Sequence, residues 1–251
     1  MKKEKGIQTL VGSTATEVSN KSQLVKHLRS TGIPDGELLD NLGLYLTRQS
    51  LSRINLMQKL YQMIVPVHSA IMEFGVRWGQ NMALFSMLRG IHEPFNYNRR
   101  IVGFDTFSGF PSTSPEDGDA VAKGDYSVVA GWKDDLAEIL NFHEQNSPIA
   151  HKRKFELVEG DATVTLPAYL KANPETIIAL AYFDFDLYEP TKKCLEAILP
   201  CLTKGSVLAF DELNCREFPG ETIALREVLG LSKYAIRRDP SNPLVSYLVV
   251  E

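Results

Sequence analysis

The chain has 251 residues, 44% of them hydrophobic and 23% charged, with a formal net charge of −4. That balance predicts a soluble globule with room for one substantial α/β core, and it excludes long disorder and a basic surface for nucleic acid. No apolar run approaches the ~20 residues that cross a bilayer, so no membrane partner is expected. The cysteines Cys194, Cys201 and Cys215 match no metal-ligand spacing, which predicts free thiols in the reducing cytoplasm. Met1 to Lys5 is basic, but the residues after it are too polar to open a signal peptide.

In chain order, residues 1 to about 35 are polar, rich in Ser and Thr, and carry a turn signal at Gly32 to Gly36; they read as an arm. Leu38, Leu39, Leu42 and Leu44 to Leu46, then Leu51, Ile54, Leu56, Leu60, Met63 and Ile64, recur at helical spacing and predict two amphipathic helices. From Ser69 onward, short apolar runs alternate with helical segments, the pattern of βαβ units and a parallel sheet. Strands are expected at Ser69–Phe74, Arg100–Phe104, Lys154–Val158, Ile177–Phe183 and Ser206–Phe210. Helices are expected at Asn81–Arg89, Lys133–Gln145, Leu166–Ala172, Pro190–Leu199 and Glu221–Leu229. The runs Tyr234–Arg237 and Leu244–Val250, joined by a turn-rich link, predict a closing antiparallel hairpin. The basic run His151 to Lys154 reads as a solvated lead-in to the third strand.

Ligands of open α/β sheets bind beyond the carboxyl ends of the strands. Each of the five strands ends in acid: Glu73, Asp105, Glu159 with Asp161, Asp184 with Asp186, and Asp211 with Glu212. Carboxylates gathered at one edge repel one another and need cations or polyol donors, although any single Asp there also serves as a helix N-cap. Gly75 and Gly79 frame the first strand-to-helix turn without the Gly-x-Gly-x-x-Gly fingerprint of pyrophosphate cofactors, which disfavours a nicotinamide dehydrogenase. Asp105 stands where an acid receives ribose hydroxyls, and Asp161 where one accepts from an adenine amino group. A phosphate-free adenosine, attached to a group received by Glu73 and the Gly75 turn, is the ligand this edge describes. Neighbouring strands lie ~4.8 Å apart, so Asp184 and Asp211 are able to share one divalent cation.

The series Glu-x-Gly-Val-x-x-Gly, Gly-Phe-Asp-Thr-Phe-x-Gly-Phe-Pro, Tyr-Phe-Asp-x-Asp-Leu-Tyr-x-Pro-Thr and Pro-Gly-Glu-Thr resembles the macrocin and mycinamicin (TylF-like) sugar O-methyltransferases. The resemblance covers roughly residues 65 to 251. It implies a Rossmann-like class I methyltransferase fold of the α/β class, with a mostly parallel seven-stranded sheet, a C-terminal antiparallel hairpin and added N-terminal helices. It further implies S-adenosylmethionine as cofactor, Mg²⁺ or another divalent cation, and methylation of a deoxysugar hydroxyl, the 3-OH of a 6-deoxyhexose, in natural-product biosynthesis. The acceptor is a nucleotide-linked sugar or a finished glycoside. The metal positions fall on Asp184, Asp211 and Glu212, and the expected cofactor-binding set is Glu73, Gly75, Asn81, Asp105, Thr106, Phe107, Asp161, Ala162 and Asp184.

The acceptor's proton needs a base, for which Asp184, Asp186 and His143 are the candidates. Catechol-type relatives carry a lysine where this chain has Leu187, which disfavours the aromatic-diol alternative. A non-catalytic nucleoside-binding protein is the other alternative, and it leaves the set of strand-end acids unexplained. The long segment Thr106 to Trp132 is expected to be a lid, with Phe110, Tyr126 and Trp132 as stacking surfaces. The expected organisation is residues 1–64 as arm and helices for lid or oligomer contacts, and 65–251 as the catalytic domain. The apolar N-terminal helices predict a homo-oligomer.

Overall fold

The computed structural model describes residues 13–251, which fall into two compact units divided between Asn55 and Leu56. The first unit holds helices α1 (Ala15–Arg29) and α2 (Asp35–Leu38) and a 3₁₀ stretch, Leu39–Tyr45, with no buried residue in any of them. Helix α1 lies where the sequence reads as an arm. A capping box starts it: the Thr14 hydroxyl accepts the Glu17 N–H at 3.2 Å, and the Glu17 carboxylate accepts the Thr14 N–H at 2.7 Å. Residues 1–12 of the expected arm lie outside the described residues.

Helix α3 (Arg48–Ile64) crosses the boundary, and its buried residues Leu56, Met57, Leu60, Tyr61 and Ile64 all belong to the second unit. That unit is built on seven strands: β1 (Ala70–Phe74), β2 (Ile101–Asp105), β3 (Phe155–Glu159), β4 (Ile178–Phe183), β5 (Leu202–Phe210), β6 (Arg237–Arg238) and β7 (Ser246–Val249). Their order is β3-β2-β1-β4-β5-β7-β6. Strands β1 to β5 pair in parallel, whereas β7 runs antiparallel to both β5 and β6. The class I methyltransferase fold expected from the sequence is the fold observed. The closing hairpin is shorter than expected on its first arm, because only Arg237 and Arg238 pair.

One sheet face packs on α3, α4 (Gln80–His92) and α5 (Trp132–Gln145); the other packs on α6 (Ala162–Ala172), α7 (Tyr188–Ile198) and α8 (Gly220–Val228). Strands β1 and β4 are buried at every position; β4 accordingly reads as a continuous apolar run, whereas β1 carries the buried Glu73. Helix α6 begins four residues before its expected start because Asp161 caps it. Among the described residues, no helix is long and apolar enough to cross a membrane.

The register sets the site's floor. Phe74 pairs with Phe104 and Phe183, and Phe183 with Phe210. The four rings form a stacked row with centroids 5.3, 4.8 and 5.0 Å apart. The residues that follow them are Asp105, Gly75, Asp184 and Asp211, so one aligned row of aromatics delivers four backbone positions to one edge.

Buried charge ties the first helical layer to the edge strand. Glu144 on α5 ion-pairs with Arg89 on α4 and, at 2.8 Å, with Lys154 before β3. Lys154 is thus a buried anchor, while the residues His151 to Arg153 of the same run are exposed. Removing one charge leaves the others uncompensated in the core, so Glu144→Gln is expected to cost about 3–5 kcal/mol in urea unfolding. A loss under about 1 kcal/mol, the range of a surface pair, would show that the network carries no such weight.

Candidate active site

The sheet's hydrogen bonding continues one residue past the strands. Gly75 N–H donates to Phe104 O at 2.9 Å, Asp184 N–H to Phe74 O at 2.8 Å, and Asp211 N–H to Phe183 O at 2.9 Å. Side chains alternate across a strand, so Glu73, Tyr182, Asp184 and Asp211 project from the face opposite the phenylalanine row. Gly75 has φ +94°, and a Cβ there would collide with the Asp184 carbonyl oxygen. The first strand's turn is therefore pressed against the backbone of the fourth strand's acid.

At the ends of β1 and β2, Asp105 uses both carboxylate oxygens on backbone. Oδ2 accepts the Arg77 N–H at 2.8 Å and Oδ1 the Phe107 N–H at 2.6 Å, which holds the β1 and β2 loops together. Glu73 and Asn81 are buried and joined by an amide-to-carboxylate hydrogen bond of 2.9 Å. Thr106 and Phe107 line a cavity of about 400 Å³ beside Trp132 and Glu159, beyond the ends of β2 and β3. Asp161 is exposed and caps α6, taking the Thr163 N–H at 2.9 Å and its hydroxyl at 2.7 Å. Ala162, the first residue of that helix, is buried.

On the other side the structure gathers Asp184, Asp186, Asp211, Glu212 and a fifth acid, Glu221. The Tyr182 hydroxyl donates to Asp211. Glu221 is fully buried at the start of α8, where its carboxylate accepts the N–H groups of Phe185 at 3.2 Å, Asp186 at 3.4 Å and Glu212 at 3.3 Å. It positions both acidic tails, a role the sequence reading did not assign; the Pro-Gly-Glu-Thr run was its one signal. Burial pushes the Asp186 carboxyl well above the usual carboxylate range, with the charges of Glu212 and Asp211 adding to the shift. Burial likewise raises Glu221, followed by the charges of Asp186, Asp184 and Asp211. Such mutual repulsion, in a set of hard oxygen donors, marks a place where a divalent cation is electrostatically welcome. Among the described residues, however, no three His, Cys, Asp or Glu side chains already stand in an arrangement that holds a metal.

His143 is not brought to this cluster. It sits in the last turn of α5, whose first residue, Trp132, lines the cavity; at 1.5 Å per residue, the two are about 16 Å apart along the helix. Burial lowers the pKa of its imidazole, and a general-base role for it has no support in the geometry.

The expected lid is anchored at two places. Asp117, buried, accepts the N–H of Tyr188 at 2.6 Å and that of Ser114 at 2.6 Å, which pins the segment to the start of α7. Phe110 N–H donates to Asp125 O at 3.0 Å, and Gly124 N–H to Phe110 O at 2.9 Å, folding the Phe110 and Tyr126 rings together at 5.2 Å. The Tyr126 hydroxyl meets Asp186, and the Arg77 guanidinium lies over the Tyr126 ring, 4.6 Å from its centroid. Among the described residues, five of the seven non-glycine residues with positive φ stand in the loops of this edge: Arg77, Phe107, Tyr126, Asp186 and Asn214. Backbone strain of this kind concentrates where surrounding structure over-determines a functional geometry.

Comparison with protein-family models gives no match, and comparison with curated proteins gives none. Among solved structures, the calicheamicin methyltransferase CalS11 matches with a TM-score of 0.93 and 45% identity, over 97% of this chain and 96% of that one. Apo CalS11, described as a TDP-rhamnose 3′-O-methyltransferase of calicheamicin biosynthesis, gives 0.85 and 44%, over 94% and 95%. The O-methyltransferase NovP, 16% identical over 80% of each chain with a TM-score of 0.61, shares the fold.

Proposed function

The chain belongs to the family of S-adenosylmethionine-dependent methyltransferases that includes CalS11, and from that membership we propose that it methylates the 3-hydroxyl of a nucleotide-linked 6-deoxyhexose in antibiotic biosynthesis. The observation that carries the reading is the near-complete match to a structure whose protein is described as acting on TDP-rhamnose. The TylF-like relationship read from the motifs belongs to the same proposal. So does a homo-oligomer, which the exposed Leu39 and Leu44 of the first unit support. The aromatic-diol reading is weaker, because Leu187 is buried and apolar where that chemistry places a lysine.

A sugar hydroxyl ionises far above neutral pH, so the protein's task is to place its oxygen in line with the methyl group and to receive its proton. The cofactor supplies a methyl already activated on a sulfonium. Asp105 holds the two loops that receive the nucleoside, and Gly75 lets the β1 turn close against the backbone of Asp184. As the oxygen–carbon bond forms and the carbon–sulfur bond breaks, the Asp184 carboxylate takes the hydroxyl proton and the thioether leaves. Glu221 fixes the backbone around Asp184 and Glu212 during this exchange. Asp184, Asp211 and Glu212 would hold a divalent cation, which supplies a lowered hydroxyl pKa.

The test is calorimetric titration with S-adenosylhomocysteine, with and without Mg²⁺, followed by transfer to TDP-rhamnose and location of the methyl group by NMR. Binding together with 3-O-methyl product that disappears on chelation is the expected outcome. Product formed in excess chelator removes the cation, and binding without transfer to any nucleotide-linked 6-deoxyhexose removes the acceptor.

A further inference from the structure

The guanidinium of Arg77 makes no hydrogen bond or ion pair with any described residue, although it stands in the most acidic part of the molecule. Its backbone is held in the left-handed region at φ +49°, with its N–H on Asp105 Oδ2 at 2.8 Å. Its side chain is exposed and lies over the Tyr126 ring at 4.6 Å instead of pairing with Asp186. A guanidinium over an aromatic face keeps its planar fork of N–H donors directed outward, the geometry that takes an oxyanion in two parallel hydrogen bonds. Tyr126 meets Asp186 with its hydroxyl and Arg77 with its ring face, so one aromatic side chain bridges the cation and the acid. A sugar hydroxyl at the acids and an oxyanion on the same ligand are thereby offered partners on neighbouring side chains.

We propose that Arg77, oriented by Tyr126, binds the diphosphate of a nucleoside-diphosphate sugar while the sugar hydroxyl reaches the acidic cluster. The inference rests on the nucleotide-linked acceptor proposed above and adds the residue that selects it. A sugar already joined to an aglycone through a neutral glycosidic bond offers this guanidinium nothing. Selection for the nucleotide-linked form then comes from a single charge beside the acidic cluster, because only the nucleotide-linked sugar brings an oxyanion to the fork.

The experiment measures thymidine diphosphate and S-adenosylhomocysteine binding by calorimetry, and KM for TDP-rhamnose, in the wild type, Arg77→Met, Arg77→Lys and Tyr126→Phe. Arg77→Met is expected to weaken thymidine diphosphate binding and raise KM by about 10- to 100-fold, the size of a lost charge-assisted pair, with S-adenosylhomocysteine affinity unchanged within about twofold. Arg77→Lys restores the charge without the fork and recovers part of the loss. Tyr126→Phe keeps the ring under the guanidinium and leaves thymidine diphosphate affinity intact. The proposal is overturned if Arg77→Met binds thymidine diphosphate like the wild type, if the wild type does not bind it, or if S-adenosylhomocysteine affinity falls by the same factor, which would assign the guanidinium to the cofactor's carboxylate. A wild type that binds thymidine diphosphate through Arg77 yet methylates no 6-deoxyhexose sinks the acceptor reading and leaves the phosphate site standing. A wild type that methylates TDP-rhamnose while Arg77→Met does so equally well gives the converse.

Discussion

Asp184→Asn is expected to lower kcat by about 10²- to 10⁴-fold, the range of a lost general base, with S-adenosylhomocysteine affinity changed less than about threefold. The substitution preserves shape, and the backbone of residue 184, which carries the contact with Gly75, is untouched. An amide cannot take the acceptor's proton, and it is a poorer partner for a cation. Stability should move the other way, because the Asp184 charge is among those raising the Glu221 carboxyl. Removing it relieves repulsion in a buried place, and the melting temperature should rise, the expected exchange between stability and activity at a strained site. Single-turnover transfer, calorimetry and a thermal melt together check this. A variant that keeps more than a tenth of wild-type kcat would pass the proton to Asp186 instead.

Gly75→Ala is expected to be the most damaging single methyl group in the second unit. Two costs add: a non-glycine residue at φ +94°, about 1–2 kcal/mol, and displacement of the Asp184 carbonyl by overpacking, about 1–3 kcal/mol. Urea unfolding should show a loss of about 2–5 kcal/mol, and S-adenosylhomocysteine binding should fall with it, because the same shift separates the β1 turn from the β4 tail. Gly36→Ala is the matched control. It sits in α2 with nothing within 4 Å of an added Cβ, and alanine's better helix propensity makes it neutral or slightly stabilising. If Gly75→Ala unfolds and binds like the wild type, the close approach of the two tails is not needed.

The central strands were legible because burial on both faces removes polar residues from them, leaving runs such as Ile178–Phe183 with a hard boundary at Asp184. The acids stood out for the same reason, as charges placed directly against apolar runs. What stayed hidden depends on distance in space. Glu221 read as the first residue of a helix, and only the folded chain shows its carboxylate holding three N–H groups from two other loops. Lys154 looked like part of a solvated run because its partner, Glu144, lies ten residues away on another element. Helix α1 was missed on the opposite ground. It has no buried residue, so no apolar period exists to betray it, and the Thr14 to Glu17 capping box was its one signal. His143 was singled out by residue type, and type alone does not say which end of a helix faces the site.

The row of phenylalanines across β2, β1, β4 and β5 makes sheet alignment and charge placement a single property. Since successive side chains alternate between faces, sliding β2, β4 or β5 by one position would turn its terminal acid toward the aromatic layer and its phenylalanine toward the opposite, helix-covered face. A misregistered sheet is therefore penalised in the same step that would misplace the chemistry. The folding code and the catalytic code of this domain share their letters, and substitutions at Phe74 or Phe183 act on the active site through the register of the strands that carry it.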